Sequence, residues 1–138
     1  MRLNPYLMFA GNCEEAFKFY QRCLHGTIAA MMRFGETPAK DHVPQTSHDK
    51  IIHVCLQVGD QMLMGSDAPG ETHQGVTGCS ISLNVDSIAE AKRIFEALSE
   101  DGTIQMPLEE TFWAAHFGML TDRFGVPWMI NCEKDNQA

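Results

Sequence analysis

The sequence predicts an α+β fold of two tandem βαβββ modules, whose curved mixed sheets surround a cavity. The main observation is an internal repeat, with the order strand, helix, strand, strand, strand occurring twice. The offset is 75 at Glu15/Glu90 and Ala16/Ala91, 76 at Gly26-Thr27-Ile28 against Gly102-Thr103-Ile104, and 66 at Gly59 to Leu63 against Gly125 to Met129. A repeat at a nearly fixed period is one supersecondary unit used again, and the shrinking offset reflects a long loop in the first half alone. The other observation is length. At 138 residues the chain is sized for one domain, 1–138, with module one at about 1–67, a linker at about 68–78 and module two at about 79–132.

Leu3 to Ala10 reads as a strand, broken by Gly11-Asn12. Asn12 with Glu15 reads as a capping box. Ala16, Phe19/Tyr20 and Cys23/Leu24 recur at helical spacing, predicting a helix over 13–24. His25-Gly26 ends it, with Gly26 as the left-handed residue. A strand follows to about Phe34. Gly35 to Asp49 is a polar loop with Pro38 and Pro44, long enough to be a lid. Ile51 to Val58 alternates as a strand, Gly59-Asp60 is a tight turn, and Gln61 to Gly65 returns antiparallel. Pro69, Gly70, Gly75 and Gly78 mark the linker.

The pattern then restarts. Cys79 to Val85 is a strand, Ser87 with Glu90 a second capping box, and Ala91, Ile94/Phe95 and Leu98 a second helical stripe. Glu110 to Asn131 gathers Phe112, Trp113, Phe117, Phe124 and Trp128 around Glu110, His116, Asp122 and Asn131. Apolar walls with a few placed polar groups suit a small-molecule pocket. An ordinary hairpin core turning at Asp122-Arg123-Phe124-Gly125 is the plainer alternative.

Composition narrows the function. The net charge of −8 opposes binding to nucleic acid or to anionic membranes, both of which need clustered Lys and Arg. No run approaches a membrane span, and Met1 to Phe9 lacks the pattern of a signal peptide. Five cysteines without CxxC spacing point to free thiols in a reducing cytoplasm rather than a disulfide framework.

Alternation of period 2 assigns faces. In 79–85 the apolar set Cys79, Ile81, Leu83, Val85 belongs under the helix, leaving Ser80, Ser82 and Asn84 concave. His53, Cys55 and Gln57 are concave likewise. In the last strand Trp128 and Ile130 lie under the helix, with Met129 and Asn131 concave. The offset of 75 carries Pro5, Leu7 and Phe9 to the concave side. The expected ligand site is therefore Phe9, His53, Gln57, Leu63, Ser80, Ser82, Asn84, Trp113, His116, Phe117, Met129 and Asn131; exposure to solvent or a subunit interface is the competing reading.

The chain resembles the vicinal-oxygen-chelate superfamily, which includes glyoxalase I, extradiol dioxygenases and bleomycin-resistance proteins, and within it the PhnB-like branch. The resemblance is carried by Pro5-Tyr6-Leu7, Gly11-Asn12-Cys13, Phe34-Gly35-Glu36, Ser66-Asp67-Ala68, Glu110-Thr111-Phe112-Trp113-Ala114, Phe117-Gly118, Asp122 and, most specifically, Phe124 to Asn131. It implies a homodimer in which modules of both chains build each cavity. Catalytic members hold a divalent metal between His, Gln and Glu side chains on the first and last strand of each module. Through the repeat those positions fall on Pro5, Leu63, Ser80 and Met129, or, with the register shifted by one, on Tyr6, Met64, Cys79 and Ile130, so no cofactor is expected and any divalent metal would lie elsewhere.

His42, His48, His53 and His73 match no tight ligand spacing. His116, among aromatics that could tune its protonation, and Glu36 are the weak catalytic candidates, while Glu110 and Asp122 could also serve in acid–base chemistry. Cys55 and Cys79 are expected to be buried and inert. The leading expectation is a metal-free protein that sequesters or carries a small, partly aromatic ligand. The alternative is a superfamily isomerase, lyase or dioxygenase with a displaced or substrate-supplied metal; methyl transfer is not expected.

Overall fold

The computed structural model describes residues 1–68 and 75–134. The expected linker falls partly, and His73 wholly, outside the described residues. The chain divides into two compact units, Met1–Gly75 and Val76–Ala138. The first contains β1 (Tyr6–Phe9), α1 (Cys13–Leu24), β2 (Thr27–Arg33), β3 (Ile51–Val58) and β4 (Gln61–Asp67). The second contains β5 (Ile81–Val85), α2 (Ile88–Ser99), β6 (Thr103–Glu109), β7 (Ala114–Thr121) and β8 (Pro127–Glu133). Each unit is a βαβββ module with an open four-stranded mixed sheet, ordered β1-β4-β3-β2 in the first and β5-β8-β7-β6 in the second. The outer pairs β1–β4 and β5–β8 are parallel and the rest antiparallel.

Helix α1 forms over the expected residues, but its start differs from the expectation. Asn12 makes no side-chain cap. Asp67, at the end of β4, does the work instead: its Oδ1 accepts from the N–H groups of Gly11 (2.9 Å) and Cys13 (3.0 Å), and its Oδ2 from that of Ile51 (2.9 Å). A carboxylate here satisfies donors that the helix start leaves open and suits its positive end. At the other end His25, not Gly26, takes the left-handed conformation, with φ 53°. Gly26 is required by space, since a Cβ there would lie 2.8 Å from the Gln57 carbonyl oxygen. Helix α2 starts as expected, the Glu90 N–H donating to Ser87 Oγ at 3.1 Å.

Residues 35–49 fold into short 3-10 turns at Phe34–Glu36, Pro38–His42 and Gln45–Ser47. Their base is pinned by Phe34 N–H to the Lys50 carbonyl and Gly35 N–H to the His48 carbonyl. Asp122, read as a turn former, is buried. Its Oδ1 accepts from the N–H groups of Phe124 and Val126, and its Oδ2 from Trp128 Nε1 at 2.8 Å. Among the described residues no helix is long and apolar enough to cross a membrane.

Candidate functional site

Which residues can meet a ligand depends on which sheet face each helix covers. In the first unit α1 covers the face holding Gly65, where a Cβ would lie 2.7 Å from Phe17 Cε1. Leu7 and Val54 are the register partners of Gly65, and Leu56 and Leu63 form the next pair of that face. Phe9 meets Phe17 edge-on, with ring centroids 6.0 Å apart. In the second unit α2 covers Gly118, where a Cβ would lie 2.7 Å from Phe95 Cε2. Ile130 and Leu83 share that row, with Leu120, Trp128 and Ile81 beside it.

The opposite faces carry no helix of their own unit. In the first sheet that face holds Tyr6, Met8, Met32, His53, Cys55, Gln57, Met64 and Ser66, with Tyr6 opposite Met64, Met8 opposite Ser66 and Met32 opposite His53. In the second it holds two cross-strand rows. One runs Glu109, Phe117, Asn131, Asn84, and the other Met106, Met119, Met129, Ser82. Trp113 lies against Phe117 at 5.4 Å between ring centroids and against Phe112 at 4.8 Å.

This geometry places three expected site residues away from the open faces. Phe9 and Leu63 are buried on the α1 side, and His116, paired with Cys132, is on the α2 side of its strand. His116 directly precedes Phe117, so the two cannot share a face; its Nδ1 lies instead against the Ala115 carbonyl. For Phe9 and Leu63 the cause is parity. The strand-to-helix connection has three residues in the first unit (10–12) and two in the second (86–87). The face-preserving offset from β1 to β5 is thus 76, Tyr6 to Ser82, rather than the 75 of the helices. The final hairpin turns have two residues (59–60) and five (122–126), making the β4-to-β8 offset 65, Met64 to Met129, rather than 66. One residue of slip reverses every side chain of a strand.

Of the other expected residues, Ser82, Asn84, Met129, Asn131 and Phe117 share the open face of the second sheet, with Trp113 at its end and Ser80 just before β5. His53 and Gln57 are on the open face of the first, the Gln57 side chain donating to the Gly59 carbonyl. Glu36 is exposed and ion-paired to Arg33 at 3.6 Å, a surface pairing rather than part of either face. Cys55 is buried as expected, but Cys79 is exposed. Beyond the residues expected from sequence, Tyr6, Met8, Met32, Met64, Ser66, Met106, Glu109 and Met119 also lie on these faces; the face-preserving offsets identify the β1 and β4 members.

Under those offsets the two sheets carry equivalent hydrogen-bonded pairs. Ser66 Oγ donates to Met8 Sδ at 3.4 Å, and at the matching positions Asn131 Nδ2 donates to Asn84 Oδ1 at 2.9 Å. Asn131 Oδ1 is buried without a hydrogen-bond partner.

The model of a family described as 3-demethylubiquinone-9 3-methyltransferase matches residues 1–131. The chain is a PhnB-like member of the vicinal-oxygen-chelate superfamily. It is 39% identical to protein YjdN of Escherichia coli, over 97% of each chain. The solved structure of PA1353 from Pseudomonas aeruginosa is 56% identical, with 96% of this chain and 98% of that one covered and a TM-score of 0.88. The solved structure of a PhnB protein from Bacillus cereus, described as a 3-demethylubiquinone-9 3-methyltransferase, is 25% identical, with 96% of this chain and 99% of that one covered and a TM-score of 0.79.

Metal-dependent members of the superfamily place ligands on the first and last strands of each module. In this PhnB-like chain the positions of those strands that face away from the helix of their own unit are Tyr6, Met8, Met64 and Ser66 in one unit and Ser82, Asn84, Met129 and Asn131 in the other. Thioethers, hydroxyls and neutral amides lack the imidazole or carboxylate donors that zinc, nickel or iron centres use. Among the described residues no three His, Cys, Asp or Glu side chains group to hold an ion. These residues do not fit the superfamily's divalent-metal centre.

Proposed function

We propose that this protein binds a small, partly aromatic molecule on the helix-free faces of its sheets, as a sequestering or carrier protein and as a homodimer, without a resident divalent metal. The observation that carries the reading is the chemistry of those faces. Each combines methionine thioethers with aromatic rings and a few ordered polar groups: Tyr6 and His53 in one, and Phe117, Trp113, Asn84 and Asn131 in the other. Thioethers and aromatic edges pack against flat, polarizable ligands, and placed amides or an imidazole orient them. Methyl transfer is not part of the reading. The two strand-to-helix connections, 10–12 and 86–87, contain one glycine between them, which is no glycine-rich loop for S-adenosylmethionine.

Native mass spectrometry of the untagged protein, before and after chelator, tests the proposal. A dimer carrying no divalent ion, with or without a retained organic mass, is expected. One tightly held divalent ion per subunit would overturn the metal-free reading and favour an enzyme.

A further inference from the structure

We infer that Tyr6 and His53 form a ligand-anchoring pair, with the His53 Nε2–H donating to an oxygen acceptor (a carboxylate, sulfonate or phenolate) on an aromatic ligand lying over the methionines of the first sheet. The inference rests on the small-molecule reading and gives it a ligand class.

Tyr6 is on β1 and His53 on β3, with β4 between them. Their side chains nevertheless meet over β4, the phenol oxygen 3.1 Å from His53 Nδ1 and the rings stacked with centroids 5.8 Å apart. A phenol is a good donor and an unprotonated imidazole nitrogen a good acceptor. When Nδ1 accepts from Tyr6, the neutral ring carries its proton on Nε2, because the bond at one nitrogen sets the tautomer at the other. The pair thereby fixes an N–H donor on a face that remains accessible: Tyr6 is 47% exposed, and Met8 and Met32 beside it 44% and 42%. Among the described residues that face offers no carboxylate, so an acceptor, charged or neutral, meets no like charge there. Met8, Met32 and Met64 supply the apolar floor.

Two fluorescent probes test this, 8-anilinonaphthalene-1-sulfonate and its neutral relative N-phenyl-1-naphthylamine, which lacks the sulfonate. Both should bind the wild-type protein. His53→Phe keeps a ring and removes the donor; it should weaken the sulfonate by roughly tenfold or more, the scale of one hydrogen bond to a charged group, and leave the neutral probe within about twofold. Tyr6→Phe keeps the ring stack and releases the tautomer, and should weaken the sulfonate by a smaller factor, again sparing the neutral probe. Circular dichroism checks that both variants are folded. If His53→Phe shifts both probes alike, or neither, the anchoring pair is overturned while small-molecule binding stands. If the wild type binds neither probe, the small-molecule reading fails and the pair with it.

Discussion

Asp67→Ala should be among the most damaging single substitutions in the first unit. The carboxylate is 4% exposed and accepts from three backbone N–H groups, those of Gly11, Cys13 and Ile51, at 2.9 to 3.0 Å. It thereby ties the end of β4 to the start of α1 and the start of β3. Truncation leaves three donors unpaired at once. A buried donor that loses its partner costs about 1–3 kcal/mol. The Cys13 and Ile51 bonds are buried, and Gly11 is within reach of water, so the total is about 3–5 kcal/mol. That is a large part of a typical stability of about 5–15 kcal/mol. Asp67→Asn separates the effects. Its remaining oxygen can serve Gly11 and Cys13, but its amide then points a donor at the Ile51 N–H, for a cost of about 1–2 kcal/mol. Urea unfolding followed by far-UV circular dichroism is the assay, because both tryptophans, Trp113 and Trp128, are in the second unit and report poorly on the first. Equal losses for Ala and Asn, or a loss under about 1 kcal/mol for Ala, would refute the assignment of Asp67 as the knot of this unit.

Gly118→Ala places a methyl 2.7 Å from Phe95 and 2.9 Å from the Leu108 backbone; because a backbone atom cannot swing aside, a loss of about 1–3 kcal/mol is expected, read as a lower urea midpoint with an unchanged slope. Glu14 accepts two bonds from Arg33 at 2.9 and 3.0 Å and meets Lys18, and these partners pull its carboxyl down to about 2. Because the unfolded chain takes up that proton first, stability should rise with pH from about 2 to about 4.5 and be flat above. The pair is one-third exposed, so the gain is under about 1 kcal/mol. Glu14→Gln should remove that part of the acid titration in pH-dependent unfolding, and an unchanged profile would show that the bidentate pair is not formed in solution.

The duplicated module was legible because helices announce themselves by spacing, and the stripes Ala16–Leu24 and Ala91–Leu98 fixed both of them. Sheet faces were legible only where polarity marked them. Ser82, Asn84 and Asn131 alternate with Ile81, Leu83 and Ile130, so β5 and β8 were oriented correctly from pattern alone, and His53 and Gln57 did the same for β3. In β1 and β4 both faces are apolar: Tyr6 and Met8 alternate with Leu7 and Phe9, and Met62 and Met64 with Leu63. There the orientation was transferred from the repeat, and it inverted. Asp67 escaped notice for a different reason, since nothing local marks a strand-end carboxylate as the cap of a helix more than fifty residues earlier.

The inversion shows where the two halves of the chain differ chemically. Connections of three against two residues, and turns of two against five, leave helices and strands with different offsets, so a residue matched to its repeat partner through the helices is matched to the wrong face. With parity restored, Met8 and Ser66 stand where Asn84 and Asn131 stand in the second unit, and each pair is closed by one side-chain hydrogen bond. The second unit carries amides there, and one amide oxygen is without a hydrogen-bond partner. The first unit carries a thioether against a hydroxyl at the same place, a pair too weak to orient a ligand by itself. In the proposed site on the first sheet, directional polar recognition is therefore assigned to Tyr6 and His53, on β1 and β3 and joined over β4, rather than to the positions that the duplication makes equivalent.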